Sequence, residues 1–468
     1  MGDSETVLAA LEGRFQENLK ELIALARIPS VSAAGFEPQQ VERSAEAVAD
    51  LLRSAGLEKV ELLRVAGAHP YVFGEWTRAK GDAPTVLLYA HHDVQPPGRI
   101  ERWRTPPFEP TVREDGRLYG RGVVDDKAGI VVQVAAVRAW LEARAALPVN
   151  VKLIVEGEEE IGSEHLAGFL HAHRQKLDCD VVVLSDTANL ETGLPSITTS
   201  LRGLVCASLC VRALDHPLHS GMWGGPIPDA ATALGVLLGR LVDAQGGIAI
   251  PGVLDDVAAP TSGERERLAA LPFDEGRLRD QAGMVQTANF SGEADRSVYE
   301  RLWLRPSLAV TALEAMPLAE AGNQLIAEAR ARVGIRLAPG QRAERVAELL
   351  TRFLKRDPPF GVEVEVTLET AVGGWRTEPS GPAFDAAARA LRAGFGREPV
   401  WIGCGGTIPF VAPFAEELGG VPVLLLGLED PVCNAHGENE SLDLDDFRKA
   451  ARAMTLLLEE LGQSVQRS

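Results

Sequence analysis

Before residue 190, short apolar runs recur, and each breaks off in charged or imidazole side chains. Pro84 to Ala90 runs into His91-His92-Asp93, and Leu118 to Val124 into Asp125-Asp126-Lys127. Asn150 to Val155 runs into Glu156-Gly157-Glu158-Glu159-Glu160, and Val181-Val182-Val183-Leu184 into Ser185-Asp186. Runs this short and this apolar read as buried strands, and helix-compatible stretches over Ile130 to Leu141 and Ser163 to Lys176 separate them. Strands alternating with helices predict an α/β domain with a mainly parallel sheet. The polar residues then gather beyond the strands' carboxyl ends, where open α/β sheets place their ligands.

Glu156 to Glu160 concentrates the problem, with four carboxylates in five residues behind the strand-like Val151 to Val155. Like charges this close repel and raise one another's pKa values unless cations or protons compensate. A solvated acidic loop is the alternative. The chain carries 47 Lys plus Arg against 66 Asp plus Glu, a formal charge of -19, which argues against nucleic-acid or anionic-membrane partners. No uninterrupted apolar run approaches the roughly 18 residues that span a bilayer. The start of the chain, with Leu8, Leu11, Phe15, Leu19 and Leu22 at helical spacing among charges, predicts an amphipathic helix and no signal peptide. Five cysteines without CxxC spacing indicate neither a disulfide framework nor a zinc ribbon, and a cytoplasmic location is expected.

At 468 residues with 46% hydrophobic composition, two domains are expected. From about Arg202 the pattern changes to alternating strands such as Val362 to Leu368, with helices over Ala230 to Leu241 and Arg342 to Lys355. This predicts an inserted α+β unit whose antiparallel sheet has one solvated face. Gly246 to Asp295 shows no clear periodicity. The α/β pattern returns with a helix over Pro382 to Ala393, a glycine-rich turn at Gly403 to Gly406, the apolar run Val421 to Leu428 and a closing helix over Asp445 to Leu461. The expected division is a catalytic domain over 1–202 and 374–468 with residues 203–373 inserted into it.

His91 and Asp93 share one face of an extended segment and His92 takes the other, so one imidazole can bind a metal while a carboxylate orients it. Singly, each candidate has an ordinary reading: loop histidines for His91 and His436, helix caps or turn residues for Asp125, Asp126 and Asp186. Together, His91, Asp125, a central glutamate, Asp186 and His436 each follow a different predicted strand and can converge at one sheet edge. Two imidazoles and three carboxylates suit a pair of divalent ions and leave a further glutamate as a base.

Tyr89-Ala90-His91-His92-Asp93-Val94-Gln95-Pro96, Gly120 to Lys127, Glu156 to Ser163 and Asn434-Ala435-His436 together resemble the di-zinc metallopeptidase family that includes carnosinase, bacterial dipeptidases, aminoacylase and succinyl-diaminopimelate desuccinylase. The resemblance spans nearly the whole chain. It implies a zinc-peptidase-like catalytic domain with a mainly parallel mixed sheet and an inserted ferredoxin-like lid or dimerisation domain. Carried over by position, it implies that Asp125 bridges two metals, that His91 and Asp186 complete one site and Glu160 and His436 the other. Glu159 becomes the general base, Asp93 orients His91, and a cis peptide joins Asp125 to Asp126. The implied cofactors are two divalent ions, zinc first, with manganese or cobalt as alternatives.

In the inserted domain, Leu218-His219-Ser220-Gly221 resembles the segment whose histidine, in dimeric relatives, reaches the partner subunit's active site and steadies the oxyanion. A purely local role for His219 is the alternative. Gly405-Gly406-Thr407-Ile408-Pro409 resembles the family's substrate turn, whose backbone N–H groups suit a carboxylate, and Asn323 is a further polar contact. Two departures stand out: Gly403-Cys404 replaces an Arg-Glu pair usual in carnosinase-like relatives, and Ala327 stands where they often carry arginine. The expected activity is metal-dependent hydrolysis of small peptides by a homodimer. An amidohydrolase acting on N-acyl amino acids and a non-catalytic metal or peptide-binding protein are the rivals.

Overall fold

The computed structural model describes residues 3–408 and 411–466, so Pro409 of the glycine-rich turn lies outside it. The chain divides into two compact units. The first lies within Met1–Thr199, Glu378–Ile402 and Phe410–Ser468, the second within Ser200–Thr377 and Gly403–Pro409.

The first unit is built on a mixed sheet. Its strands lie in the order Glu58–Leu63, Tyr71–Trp76, Asn150–Glu156, Thr85–His91, Val181–Leu184, Val423–Leu425 and then the strand that begins at Ser196. The middle four are parallel. Every residue of Thr85–His91 and Val181–Leu184 is buried, as a parallel sheet covered on both faces requires. Helices Lys127–Arg144, Pro382–Phe395 and Leu444–Ser464 contribute apolar faces to the core.

Three local readings differ from the pattern. The N-terminal amphipathic stretch is two helices, Asp3–Gly13 and Phe15–Ala26, parted where glycine weakens the helix. The run ending at Val124 pairs as a strand only over Arg117–Tyr119. Beyond it the N–H groups of Gly122 and Val124 donate to the Glu440 carboxylate, at 3.0 and 3.1 Å, and no ladder forms. The run to Leu428 is a strand only over Val423–Leu425, because Gly427 packs so tightly on the Thr187 carbonyl that a Cβ there has no room.

In the second unit, strands Ser307–Glu314, Glu328–Leu337, Gly203–Arg212 and Glu363–Val372 form an antiparallel sheet in that order. Along Gly203–Arg212 the residues Val205, Ala207, Leu209 and Val211 face a core shared with helices Ala230–Gly239 and Ala343–Lys355, while Ser208, Cys210 and Arg212 face away. That alternation is the one-face-solvated pattern read from the sequence. The stretch without periodicity contains helices Ser262–Ala270 and Glu275–Gln281. Apart from Glu264, these helices bury no residue, so no apolar stripe marks them. A capping box between Thr261 and Glu264 was the available signal.

Candidate metal centre

The parallel strands deliver the site. His91 ends one, Glu156 the next, and Leu184 a third, so the loops that follow open at one edge of the sheet. His91 is fully buried. Its Nε2 lies 2.9 Å from Asp125 Oδ1 and 3.8 Å from Asp186 Oδ1. His436 closes the other side, with Nε2 2.9 Å from Asp125 Oδ2 and 3.1 Å from Glu160 Oε2. Asp125 therefore faces one imidazole with each carboxylate oxygen. Ligand atoms of His91, Glu159 and Asp186 lie within 4.8 Å of one another, as do those of His91, Asp125 and Glu160. A third group of the same spacing joins Asp125 and Asp186 to Glu429.

Asp93 organises the approach. Fully buried, it accepts hydrogen bonds from the Ser32 hydroxyl (2.6 Å), the Glu159 N–H (3.2 Å) and the Glu160 N–H (3.1 Å). Its Oδ1 lies 3.4 Å from His91 Nδ1. The ring's hydrogen bond goes to the Asp93 carbonyl at 3.1 Å, with the carboxylate's charge just beyond, and that carboxylate pins the backbone of both central glutamates. Glu160 is anchored further by Gln95, whose side-chain amide donates at 2.9 Å and whose N–H donates at 3.1 Å. His92 points the opposite way, 3.0 Å from the Pro70 carbonyl, and burial holds its pKa down at about 4. The Asp125–Asp126 peptide is cis.

Electrostatics mark the centre as short of cations. Burial, then repulsion from Asp186, raises Glu159 well above the usual carboxylate range. Burial and the Asp125 charge lift Glu160 to about 7. Burial disfavours a charged Asp125, but hydrogen bonds from His436 and His91 outweigh it and hold the group low. His436 is raised to about 11 by its contacts with Asp125 and Glu160. Among the described residues no lysine or arginine pairs with Asp125, Glu159, Glu160 or Asp186. Two imidazoles and four carboxylates converging without a counter-cation fit a pair of divalent ions.

The two glutamates that the sequence left structural are buried and served by neighbours. Glu156 accepts from the Tyr89 hydroxyl at 2.6 Å, and Glu158 from the Tyr71 hydroxyl at 3.0 Å and the His165 N–H at 3.0 Å. Glu429 was not selected from the sequence. It lies at the end of the Val421 to Leu428 run, a position that run did mark.

The remaining candidates belong to the second unit. His219 is exposed, and its Nδ1 accepts from the Gly221 N–H at 3.1 Å. Asn323 is exposed, and its carbonyl accepts from the Ser220 N–H at 2.8 Å. In the Gly405-Gly406-Thr407 turn, the Thr407 hydroxyl donates to the Arg202 carbonyl (2.7 Å) and accepts from Arg336 Nη1 (2.9 Å). Arg202 Nε donates to the Gly405 carbonyl at 3.1 Å. Neither arginine has a carboxylate partner among the described residues, and burial lowers Arg202 to about 10. Arg202 and Arg336 beside the turn were passed over in the sequence reading.

The fold and site define a hydrolase scaffold of the dinuclear-metal type. The sequence profile of Peptidase family M20/M25/M40 matches residues 87–460. A cysteinylglycine-S-conjugate dipeptidase of Corynebacterium striatum is 32% identical over 82% of this chain and 82% of its own. The solved structure of the dipeptidase Dug1p from Saccharomyces cerevisiae superposes with a TM-score of 0.86 at 25% identity, covering 100% of both chains. That of human carnosine dipeptidase 1 gives 0.84 at 28%, covering 99% of each. The chain belongs to Peptidase family M20/M25/M40, and it is a metallopeptidase of that family.

Proposed function

We propose that this chain hydrolyses the amide bond of dipeptides, using two divalent metal ions held by His91, Asp125, Glu160, Asp186 and His436. The observation that carries the reading is the convergence of these side chains around the buried Asp125, with His436 on the solvent side and Glu159 beside them, unengaged by any described hydrogen-bond donor to its carboxylate. When bound, such ions polarise a carbonyl oxygen and bring the pKa of water from 15.7 to about 7. Zinc is the expected metal, with manganese or cobalt as substitutes. Glu159 accepts the proton of the attacking water at its carboxylate and returns it to the leaving nitrogen. Glu160, tethered by Gln95, cannot swing as a shuttle and serves as the ligand. Asp93 holds His91 in register.

The substrate's free carboxylate is held by the Gly405–Thr407 turn with Arg202 and Arg336, whose charges lack acidic partners, and Asn323 adds a polar contact. His219, donated by a second copy in a homodimer formed through the inserted unit, steadies the oxyanion; its exposure supports a role outside its own unit. Among the described residues the five cysteines form no disulfide, which supports a reducing, cytoplasmic location. Among the described residues, no helix is long and apolar enough to cross a membrane.

The test is turnover of the zinc- and manganese-loaded protein on dipeptides, N-acyl amino acids and blocked dipeptides. Cleavage of free dipeptides is expected. Activity confined to N-acyl amino acids would replace this reading with a deacylase, and a metal-loaded protein inert to all three would replace it with a binding protein.

A further inference from the structure

We infer that Glu429 is a sixth protein ligand of the metal centre, adding a third carboxylate to the site formed by His91, Asp125 and Asp186. The inference rests on the dinuclear reading above. Its ground is a contrast between neighbours. Asp430, the next residue, is fully served: Arg117 donates to it at 2.8 and 3.0 Å, the Thr192 hydroxyl at 2.8 Å and the Val432 N–H at 3.1 Å. Glu158 and Glu440, both deeply buried, also have dedicated donors. No described residue donates to the Glu429 carboxylate. A carboxylate without a donor is costly to desolvate, yet this half-buried one lies where its oxygen falls within 4.8 Å of oxygens of both Asp125 and Asp186.

The backbone fixes that placement. The Asn189 N–H donates to the Glu429 carbonyl at 2.7 Å, and Ala188 forms a parallel bridge with Glu429. Glu429 is therefore stitched to the segment that carries Asp186, with its partner-rich neighbour Asp430 locked by Arg117 on the other side. The group is no isolated acidic patch, because both of its other members face the His91 imidazole. The consequence is an asymmetric pair. One site offers three carboxylates and one imidazole, the other two carboxylates and one imidazole, so the first is richer in oxygen and suits harder cations such as Mn2+.

The experiment compares the full-length wild type with Glu429→Gln and Glu429→Ala by competitive chelator titration of Zn2+ and Mn2+, together with thermal melting of the metal-free proteins. One of the two metal affinities is expected to fall by at least about 10-fold, the lower bound even for groups that only support a ligand. The larger loss is expected for Mn2+, while the other site stays within threefold. Metal-free melting should hold or rise, since removing a carboxylate relieves repulsion. Two unchanged affinities would overturn the inference, as would a lower metal-free melting temperature with unchanged affinities, the mark of a packing role. A wild type that binds fewer than two ions would instead overturn the dinuclear reading, before any variant is compared.

Discussion

Replacing Asp93 by Asn tests how far one buried carboxylate governs the centre. The two side chains are nearly equal in volume, so packing is kept while the charge and one acceptor are lost. Asp93 serves two backbone N–H donors, at Glu159 and Glu160, and faces His91 Nδ1. An Asn amide presents one oxygen and one NH2, so at least one of those N–H groups meets a donor and is left unsatisfied. A hydrogen bond to a charged group contributes about 1.5–3 kcal/mol, and weaker polarisation of His91 adds to that loss. A total of about 2–3 kcal/mol corresponds to roughly 30- to 150-fold at about 1.4 kcal/mol per decade. The loss should appear in the affinity of the His91-bearing site, measured by chelator competition, and in kcat/KM on a dipeptide. Serine at position 32 donates to the same carboxylate and should remain bonded. Affinities and kcat/KM within twofold of wild type would refute the reasoning, since Asp93 would then neither orient the imidazole nor hold the glutamate turn.

Glu159→Gln should bind both metals and lose roughly 100- to 10,000-fold in kcat, the range for a general base; elemental analysis beside steady-state kinetics checks both halves. Glu156, lifted to about 8 chiefly by burial, keeps its proton in the folded state while an unfolded glutamate ionises near 4.5. The folded form therefore binds more protons between those values, and stability falls as pH rises from about 4.5 to 8. Glu156→Gln should flatten that slope and be more stable than wild type at pH 8 by the order of a few kcal/mol; an identical slope removes Glu156 as its source. Because Glu160 is lifted to about 7 and His436 to about 11, metal loading at neutral pH must displace protons. Calorimetry in buffers of different ionisation enthalpy should register that release, and metal affinity should weaken as pH falls below 7.

The sheet, its strand ends and the converging side chains were legible because burial on both faces writes continuous apolar runs and chemistry interrupts them. His91, Asp125, a glutamate of the 156–160 cluster, Asp186 and His436 could be gathered because each follows a different apolar run, and the family resemblance singled out Glu160. Glu429 ends a run too, but an Asp430 beside it and a longer loop to His436 gave no periodic signal of which acid turns inward. The helices after Thr261 were invisible for the opposite reason, since they bury almost nothing. Arg202 and Arg336 were passed over because an arginine without a carboxylate partner looks in sequence like any residue of a strand or its flank. Their meaning comes from the turn folded against them.

Glu440 joins two loops far apart in the chain: its carboxylate accepts from Gly122, Val124 and Arg121, and Arg121 Nη2 donates in turn to the Gly437 carbonyl. The order of synthesis follows from this. A ribosome completes His91, Asp125, Glu160 and Asp186 early, then must deliver the whole second unit before His436 and its Glu440 strut emerge. Until then the acidic half-site has neither its last imidazole nor the clamp that shapes the Asp125 loop. On the proposed ligand set, full metal loading is an event of the finished chain, and a nascent protein halted anywhere in the second unit carries a ligand set that cannot close.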